Sequence, residues 1–408
     1  MNIKRNLADK RIRQIWLWSV ACFILAGFTG FIYRWSLIAP APFGIELQNI
    51  RHAHSHLMFF CWITPVPMVF ITRFISGFTT YRIRSLINVT WVILILGLLS
   101  YPFFLLYGYR SADLGFAELP VSVIISGLIM IVWYFYIWYY IQARKKTAES
   151  ISGSFYDAAL FMLAISSAGA WGVAVIQFTA FENPFITTAL TQFFLVNFTE
   201  GWAVLMAVGL MYEYLGPENP PVNINWLIAP VMLGVPLLFP FGMSQALINP
   251  ALLFSAKAGA VLVSGGLLMN LYFLSKSEKT VIWWWKIILI LFAAKILLQL
   301  TAALIPAYFW LGEHGLKIFY IHLMLLGFIT VLYFVAWHTT YFYLARAGLK
   351  LLVGSILFVL ISLVLISGWW PAEWLPVYIF EITAIISIFP VIAALVELLL
   401  FRKHTRLG

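Results

Sequence analysis

The sequence predicts an all-α membrane protein, a polytopic bundle of about twelve transmembrane helices. Of its 408 residues, 63% are hydrophobic and only 10% are charged, whereas soluble domains carry roughly 25% charged residues. Apolar runs of about 20 residues, each long enough to cross a bilayer, recur along the whole chain. No long polar segment separates these runs, so we expect one integral-membrane domain over residues 1–408.

The apolar runs divide into twelve spans joined by short connections, in which turn-forming residues concentrate. A basic N-terminal segment precedes the first span, and no small-residue cleavage site follows it. We therefore expect the first span to be retained and not removed as a signal peptide. In chain order the predicted spans are 14–38, 53–76, 85–108, 119–143, 156–180, 188–214, 225–245, 251–275, 281–308, 316–344, 348–369 and 375–401.

Lysine and arginine residues predict how the chain is oriented in the membrane. They cluster at one set of span ends, which includes the N-terminal segment, residues 144–146 and the C-terminal tail. By the positive-inside rule both termini are cytoplasmic, and an even number of spans agrees with this. The net charge of +10 is then explained by topology. We expect the lipid bilayer, and no nucleic acid, to be the partner of these charges.

Two histidines stand near the outer ends of spans 2 and 10, inside nearly identical segments. Residues 56–64 read HLMFFCWIT, and residues 322–330 read HLMLLGFIT. A histidine inside a bilayer is costly without a partner, so each is a candidate functional residue. Because the predicted topology gives both the same membrane depth, they predict two axial ligands of one metal cofactor. Haem is the first candidate.

Span 2 carries three histidines at alternate positions, namely His52, His54 and His56. Side chains two residues apart on a regular helix point about 200° apart, so His54 and His56 face opposite sides. We expect at least one of these two to be a ligand, and His52 to cap the span. A separate outer metal site formed by His52, His54 and Glu313 is an alternative.

Polar residues elsewhere in the spans are further candidates. Glu200 in span 6 is a carboxylate inside an apolar helix, which could relay a proton as a catalytic residue or hydrogen-bond to a neighbouring helix. Lys295 and Gln299 lie on one face of span 9 and predict an internal polar stripe. Arg34 and Arg51 stand beside the histidines, where they could bind haem propionates or anchor the span ends.

The span pattern and histidine segments resemble the catalytic subunit of the haem-copper oxidase and nitric oxide reductase superfamily. In that family the span 2 histidine binds a low-spin haem b, and in reductases a tryptophan follows six residues later, as Trp62 follows His56. The oxidase spacing selects His54 instead, and we prefer His56 because the span 10 segment repeats its frame. The second histidine of the family's span 10 motif corresponds to His322, with Gly327 five residues later. The resemblance implies one bis-histidine haem b held by His56, or His54, and His322.

The family's second metal centre lacks its ligands in this chain. Tyr320 stands where the resemblance places the high-spin haem ligand, and Val196 stands where it places the span 6 histidine, although Glu200-Gly201 matches the reductases. Residues 225–245 contain no histidine, whereas the family has a histidine pair there. The resemblance therefore implies a haem b without copper or non-haem iron.

Three classes of function remain open. The first is a divergent respiratory redox subunit of a bacterial or archaeal cytoplasmic membrane. It would be an oxidoreductase of the oxidase or reductase type, with Glu200 as a catalytic residue. Its electron donor would be a quinol or a cytochrome, and the sequence leaves open whether it has partner subunits. The second is a non-catalytic haem protein of electron transfer or nitric oxide tolerance. The segment from His322 to Phe328 resembles haem-containing membrane proteins of nitric oxide stress. The third is a transporter without a cofactor, with Lys257, Lys295 and Glu200 along its path.

Overall fold

The computed structural model describes residues 2–115, 117–179, 181, 183–216, 222–307, 314–341 and 346–406. Within these residues, twelve helices are long and apolar enough to cross a membrane. The described strands form one short antiparallel pair, β1 (Ala112–Asp113) and β2 (Glu118–Leu119). The predicted all-α class is confirmed, and the protein is a multi-pass membrane protein whose surroundings are a lipid bilayer.

In chain order the α-helices are α1 (Asn2–Trp35), α2 (Leu47–Met58), α3 (Pro65–Phe78), α4 (Ile83–Tyr107), α5 (Val121–Arg144), α6 (Ile151–Thr179), α7 (Pro184–Val196), α8 (Val204–Leu215), α9 (Ile224–Gly234), α10 (Pro250–Ser275), α11 (Trp283–Leu304), α12 (His314–His322), α13 (Val331–Tyr341), α14 (Arg346–Leu365), α15 (Ile379–Ile386) and α16 (Phe389–Arg406). Short 3₁₀ helices cover Pro42–Gly44, Val235–Gly242, Gln245–Leu247, Glu278–Val281 and Ala372–Trp374.

The chain divides into two compact units, each considered by itself. Unit 1 comprises Met1–Ala148, Tyr341–Ile366 and Trp370–Gly408, and unit 2 comprises Glu149–Thr340 and Ser367–Trp369. The histidines of span 2 therefore belong to unit 1, and Glu200 and His322 belong to unit 2. The single domain expected from the sequence stays a prediction.

Helix α1 extends well beyond the apolar stretch that marks the first span. It begins at Asn2, whereas the predicted span begins at residue 14. Lysine and arginine are good helix formers, and Asp9 pairs with Arg13 one turn later at 2.8 Å. Such exposed i, i+4 pairs stabilise a helix slightly. Hydropathy therefore marks the part of a helix that meets lipid and not where the helix ends.

Span 7 departs from regular α geometry. The sequence predicts one span over residues 225–245, but α9 ends at Gly234 and the chain continues as a 3₁₀ helix over Val235–Gly242. That segment contains Pro236 and Pro240, which lack a backbone N–H and interrupt the α-helical ladder. The combined helix still has the length and hydropathy of a membrane span.

In the described residues, π-helical segments interrupt spans 2, 6 and 10. They cover Phe59–Ile63, Asn197–Ala203 and Leu323–Thr330. The first and third lie inside the two matching histidine segments, and the second contains Glu200. No pattern in the sequence predicts them. Segments of π-helix are rare and often occur at functional sites, so they support the choice of these three spans as carriers of the site.

The same three spans are the most buried of the twelve. The buried share of their most apolar window is 89%, 78% and 72% for spans 2, 6 and 10, against at most 56% for the others. In unit 1 a close approach of α4 contributes to the burial of span 2. A Cβ at Gly97 of α4 would lie 2.7 Å from Cys61 Sγ. Glycine at this position lets α4 pack directly on the π-helical segment of span 2.

Candidate functional site

The imidazole of His54 is held against helix α1 within unit 1. Its Nδ1 lies 2.7 Å from the backbone oxygen of Ala26. A carbonyl oxygen can only accept a hydrogen bond, so Nδ1 carries the proton and the lone pair of the neutral ring lies on Nε2. A Cβ at Gly30 would lie 2.9 Å from His54 Cε1, so glycine gives the ring its room. This tautomer suits a metal ligand that binds through Nε2.

His56 has different surroundings two residues later. Its ring stacks on Phe104, with centroids 3.7 Å apart and planes 10° apart. A hydrogen bond of 2.7 Å joins His56 Nε2 to the Tyr109 hydroxyl, and His56 Nδ1 is buried without a partner among the described residues. Ligation through Nε2 would require Tyr109 to move away.

Tyr109 follows the end of span 3 and keeps its proton at neutral pH. Burial raises the pKa of Tyr109 to about 12, although 43% of the residue's surface is exposed. The hydroxyl is uncharged in the physiological range whether it is buried or exposed, because exposure would return its pKa only towards 10. The His56–Tyr109 hydrogen bond therefore persists across that range.

Arg34 lies in the last turn of α1, and Arg51 lies in α2 directly before the three histidines. The charge of Arg34 acts on His54, and the charge of Arg51 acts on His52 and Tyr109. In the part of the chain that the structure describes, neither arginine forms an ion pair with a carboxylate. Both guanidinium groups can therefore bind an anionic group of a ligand.

His322 ends helix α12 in unit 2. Its Nδ1 lies 2.7 Å from the backbone oxygen of Ile318, so the proton is again on Nδ1 and the lone pair on Nε2. The tautomer of His322 is thus the same as that of His54. Glu313, proposed with His52 and His54 for an outer metal site, lies outside the described residues. Among the described residues, no three His, Cys, Asp or Glu side chains group as a metal site.

Glu200 is the centre of a buried polar cluster in unit 2. It lies in the π-helical segment of span 6 and is 4% exposed. The fully buried Lys295 of α11 pairs with its Oε2 at 2.5 Å, and the Tyr320 hydroxyl of α12 donates to its Oε1. The carboxylate is thus hydrogen-bonded to neighbouring helices, one of the two alternatives that the sequence left open. Its catalytic role stays a prediction.

The polar face expected on span 9 is confirmed, but Lys257 does not join it. Lys295 Nζ donates to Gln299 Oε1 at 2.7 Å, one helical turn away. Lys257 Nζ instead donates to the backbone oxygen of Ile305, at 3.1 Å. The structure therefore brings together two members of the suggested transport path, Glu200 and Lys295, and gives Lys257 a separate role at the end of α11.

A cavity of about 220 Å³ lies beside this cluster in unit 2. Val196, Glu200, Gln299 and Tyr320 line it. Val196 and Tyr320 are the two positions at which the family resemblance places ligands of a second metal centre. Much of the remaining wall is apolar and includes Leu195, Leu238, Leu298, Ile305, Ile321 and Met324. The two residues that depart from the family pattern thus line the same largely apolar cavity.

Sequence reasoning missed the residues that hold the histidines in place. Ala26 acts through its backbone oxygen, and no side-chain pattern reveals such a role. Phe104 and Tyr109 are aromatic residues among many, since the chain has 35 Phe and 19 Tyr. Gly30 was the detectable signal, because small residues in membrane helices mark close contacts.

A scan of the sequence against protein-family models found no match. A search of curated proteins also found none. The function is therefore argued from the residues and their geometry.

Proposed function

We propose that this multi-pass membrane protein binds haem b and transfers or senses electrons. His322 and a histidine of span 2, either His54 or His56, would hold the haem iron. The main support is the hydrogen bonding of two of these histidines. His54 and His322 each donate Nδ1–H to a backbone carbonyl at 2.7 Å, which is how metal-ligating histidines are typically held. The matching segments around the two histidines add support from the sequence.

The hydrogen bonds favour His54 over His56 as the ligand from span 2. The Nε2 of His56 is already joined to Tyr109, whereas the tautomer of His54 leaves its Nε2 lone pair for iron. Arg34 and Arg51 would bind the haem propionates, since guanidinium groups suit carboxylates. The matching sequence segments of spans 2 and 10 favour His56 instead.

Bound haem b supplies a reversible one-electron change at iron. The chain contributes the ring orientation, because the carbonyl groups of Ala26 and Ile318 hold the two imidazoles and raise their basicity as ligands. With two histidines holding the iron, electron transfer or sensing would be favoured over reduction of oxygen or nitric oxide. Copper or non-haem iron does not fit the residues present, since Val196 and Tyr320 occupy the corresponding ligand positions. If the protein is an enzyme, it is an oxidoreductase that takes electrons from a quinol or a cytochrome.

A reduced-minus-oxidised visible spectrum of the purified protein tests this proposal. We expect a sharp b-type α band, its loss in His322→Ala, and no spectral shift with carbon monoxide. His314→Ala is the matched control, because His314 is an exposed histidine on the same helix, and it should keep the band. Protein made in haem-replete cells without a b-type band, or an unchanged spectrum in His322→Ala, contradicts the proposal.

A cofactor-free transporter is the second candidate. The buried Lys295–Glu200 pair beside a cavity favours it, because intramembrane charges often mark substrate or proton paths. Substrate uptake by haem-free protein in liposomes, abolished by Glu200→Gln, would support transport.

We further propose that both termini face the cytoplasm of a bacterial or archaeal cell. The clustering of lysine and arginine at that set of span ends supports this orientation. Partner subunits, if present, would co-purify from native membranes. A reporter enzyme active only in the cytoplasm, fused to either terminus, should be active, and an inactive fusion would contradict the orientation.

A further inference from the structure

The polar cluster of unit 2 has hydrogen-bond donors without a partner, whereas each of its main acceptor oxygens already accepts a hydrogen bond. The two Glu200 oxygens accept from Lys295 and from Tyr320. The Gln299 side-chain oxygen also accepts from Lys295. Lys295 thereby uses two of the three N–H groups of its ammonium. The cluster therefore offers donors to anything that enters the cavity.

The amide nitrogen of Gln299 is the clearest of these donors. Gln299 is 5% exposed and lines the cavity. Among the described residues its side-chain NH₂ has no acceptor, because its only hydrogen bond is the one through its oxygen. A buried amide donor without a partner is unfavourable. A ligand with an acceptor oxygen would satisfy it.

The size and walls of the cavity restrict such a ligand. Its volume of about 220 Å³ is below the roughly 300–1,000 Å³ of sites for drug-sized molecules. It equals about seven water volumes, which suits a single substituted ring. The walls are largely apolar, Lys295 and Glu200 cancel in charge, and Lys317 is a further, partly exposed cation on the wall. An uncharged, flat, lipophilic molecule that reaches the site from the bilayer fits these conditions.

We propose that this cavity binds the head group of a quinone. A quinone ring has apolar faces, carbonyl oxygens that accept hydrogen bonds, and no donors. One carbonyl accepts from the Gln299 amide and from the remaining N–H of Lys295. Lys317, a further cation on the cavity wall, adds another donor and no acceptor. The site consists of residues of unit 2 alone and does not require haem.

Equilibrium dialysis of duroquinone against the full-length protein in lipid nanodiscs tests the site. We expect saturable binding of one duroquinone per chain above the uptake of protein-free nanodiscs. Gln299→Leu removes the amide at similar volume and should weaken binding at least tenfold. Gln245→Leu, at an exposed position in the 3₁₀ helix Gln245–Leu247, is the matched control and should bind like the wild type.

A second variant keeps the test decisive if Gln299→Leu does not fold. Ala302→Leu fills the cavity from its wall without touching the polar cluster, and it should weaken binding to a similar extent. Duroquinone uptake no greater than in protein-free nanodiscs, or saturable binding that survives both variants, overturns the proposal. Tighter binding of octanoate, lost in Lys317→Met, would identify an anionic ligand and also overturn it. The assay needs no haem, so protein without a b-type band can still pass it.

Discussion

Spans 2 and 10 carry nearly the same nine residues but have different chemical surroundings. In both, the histidine segment continues into a π-helical segment, and a threonine stands at its end in span 10 and directly after it in span 2. Thr64 and Thr330 each donate to a carbonyl five residues earlier, at 2.8 Å. The neighbours differ, however. Span 2 places His56 against Phe104 and Tyr109, whereas span 10 begins beside the ion pair of Glu200 with Lys295.

The difference shows that the shared segment determines helix geometry, while neighbouring helices determine what its polar groups can do. In the sequence, His322 matches His56, because the residues that follow are alike. In hydrogen bonding, His322 matches His54, because both donate Nδ1–H to a carbonyl. The sequence match thus selects His56, whereas the tertiary contacts favour His54.

The largest expected effect comes from separating these two histidines. His54→Ala should abolish haem binding, because it removes the imidazole whose Nε2 lone pair is available to iron. His56→Ala should retain haem, because its ring is engaged by Phe104 and Tyr109. Haem per protein, measured from the b-type band and the protein concentration of both variants prepared in parallel, checks this.

The opposite result would be equally informative. Haem retained in His54→Ala and lost in His56→Ala would identify His56, which the matching sequence segments favour, as the ligand. Haem retained in both variants would remove span 2 from the proposed site.

The second expected effect concerns the ion pair in unit 2. Lys295→Met leaves the Glu200 carboxylate buried without its cation, and removal of one partner of a buried pair lowers stability by about 3–5 kcal/mol. The double variant Lys295→Met/Glu200→Gln should lose less, because no buried charge remains. The free energy of unfolding, from detergent titration in mixed micelles, measures both. A loss below about 1 kcal/mol in the single variant would mean that the ion pair contributes little to stability.

The smallest effect compares the two π-helical segments directly. Thr64→Val and Thr330→Val each remove one buried hydrogen bond at nearly constant volume, which should lower the free energy of unfolding by about 0.5–1.5 kcal/mol each. Equal losses would mean that the two segments are equivalent in energy as well as in geometry. A loss confined to one variant would show that the resemblance of the two segments ends at their backbone. Thr301→Val, which removes a threonine bond to the carbonyl four residues earlier in a regular helix, is the control.

Much of the fold followed from hydropathy, because a bilayer requires about 20 apolar residues for each crossing. The ends of α1 and α16 did not, since charged residues continue a helix into water at little cost. The π-helical segments were also missed, because apolar sequences such as HLMLLGFIT are compatible with α or π geometry. The candidate residues of the site were found one at a time, as histidines and charges in apolar runs.

The sequence by itself determined that the chain crosses a membrane many times as helices, because its apolar runs and scarce charges have no other stable arrangement in water or lipid. It also selected spans 2, 6 and 10 through their histidines and Glu200. Only the tertiary structure decided that His54 is bonded to Ala26, that His56 is enclosed by aromatic rings, and that Glu200 and Gln299 border a cavity. These contacts join helices distant in sequence, and a tautomer or a cavity depends on the atoms that another helix presents.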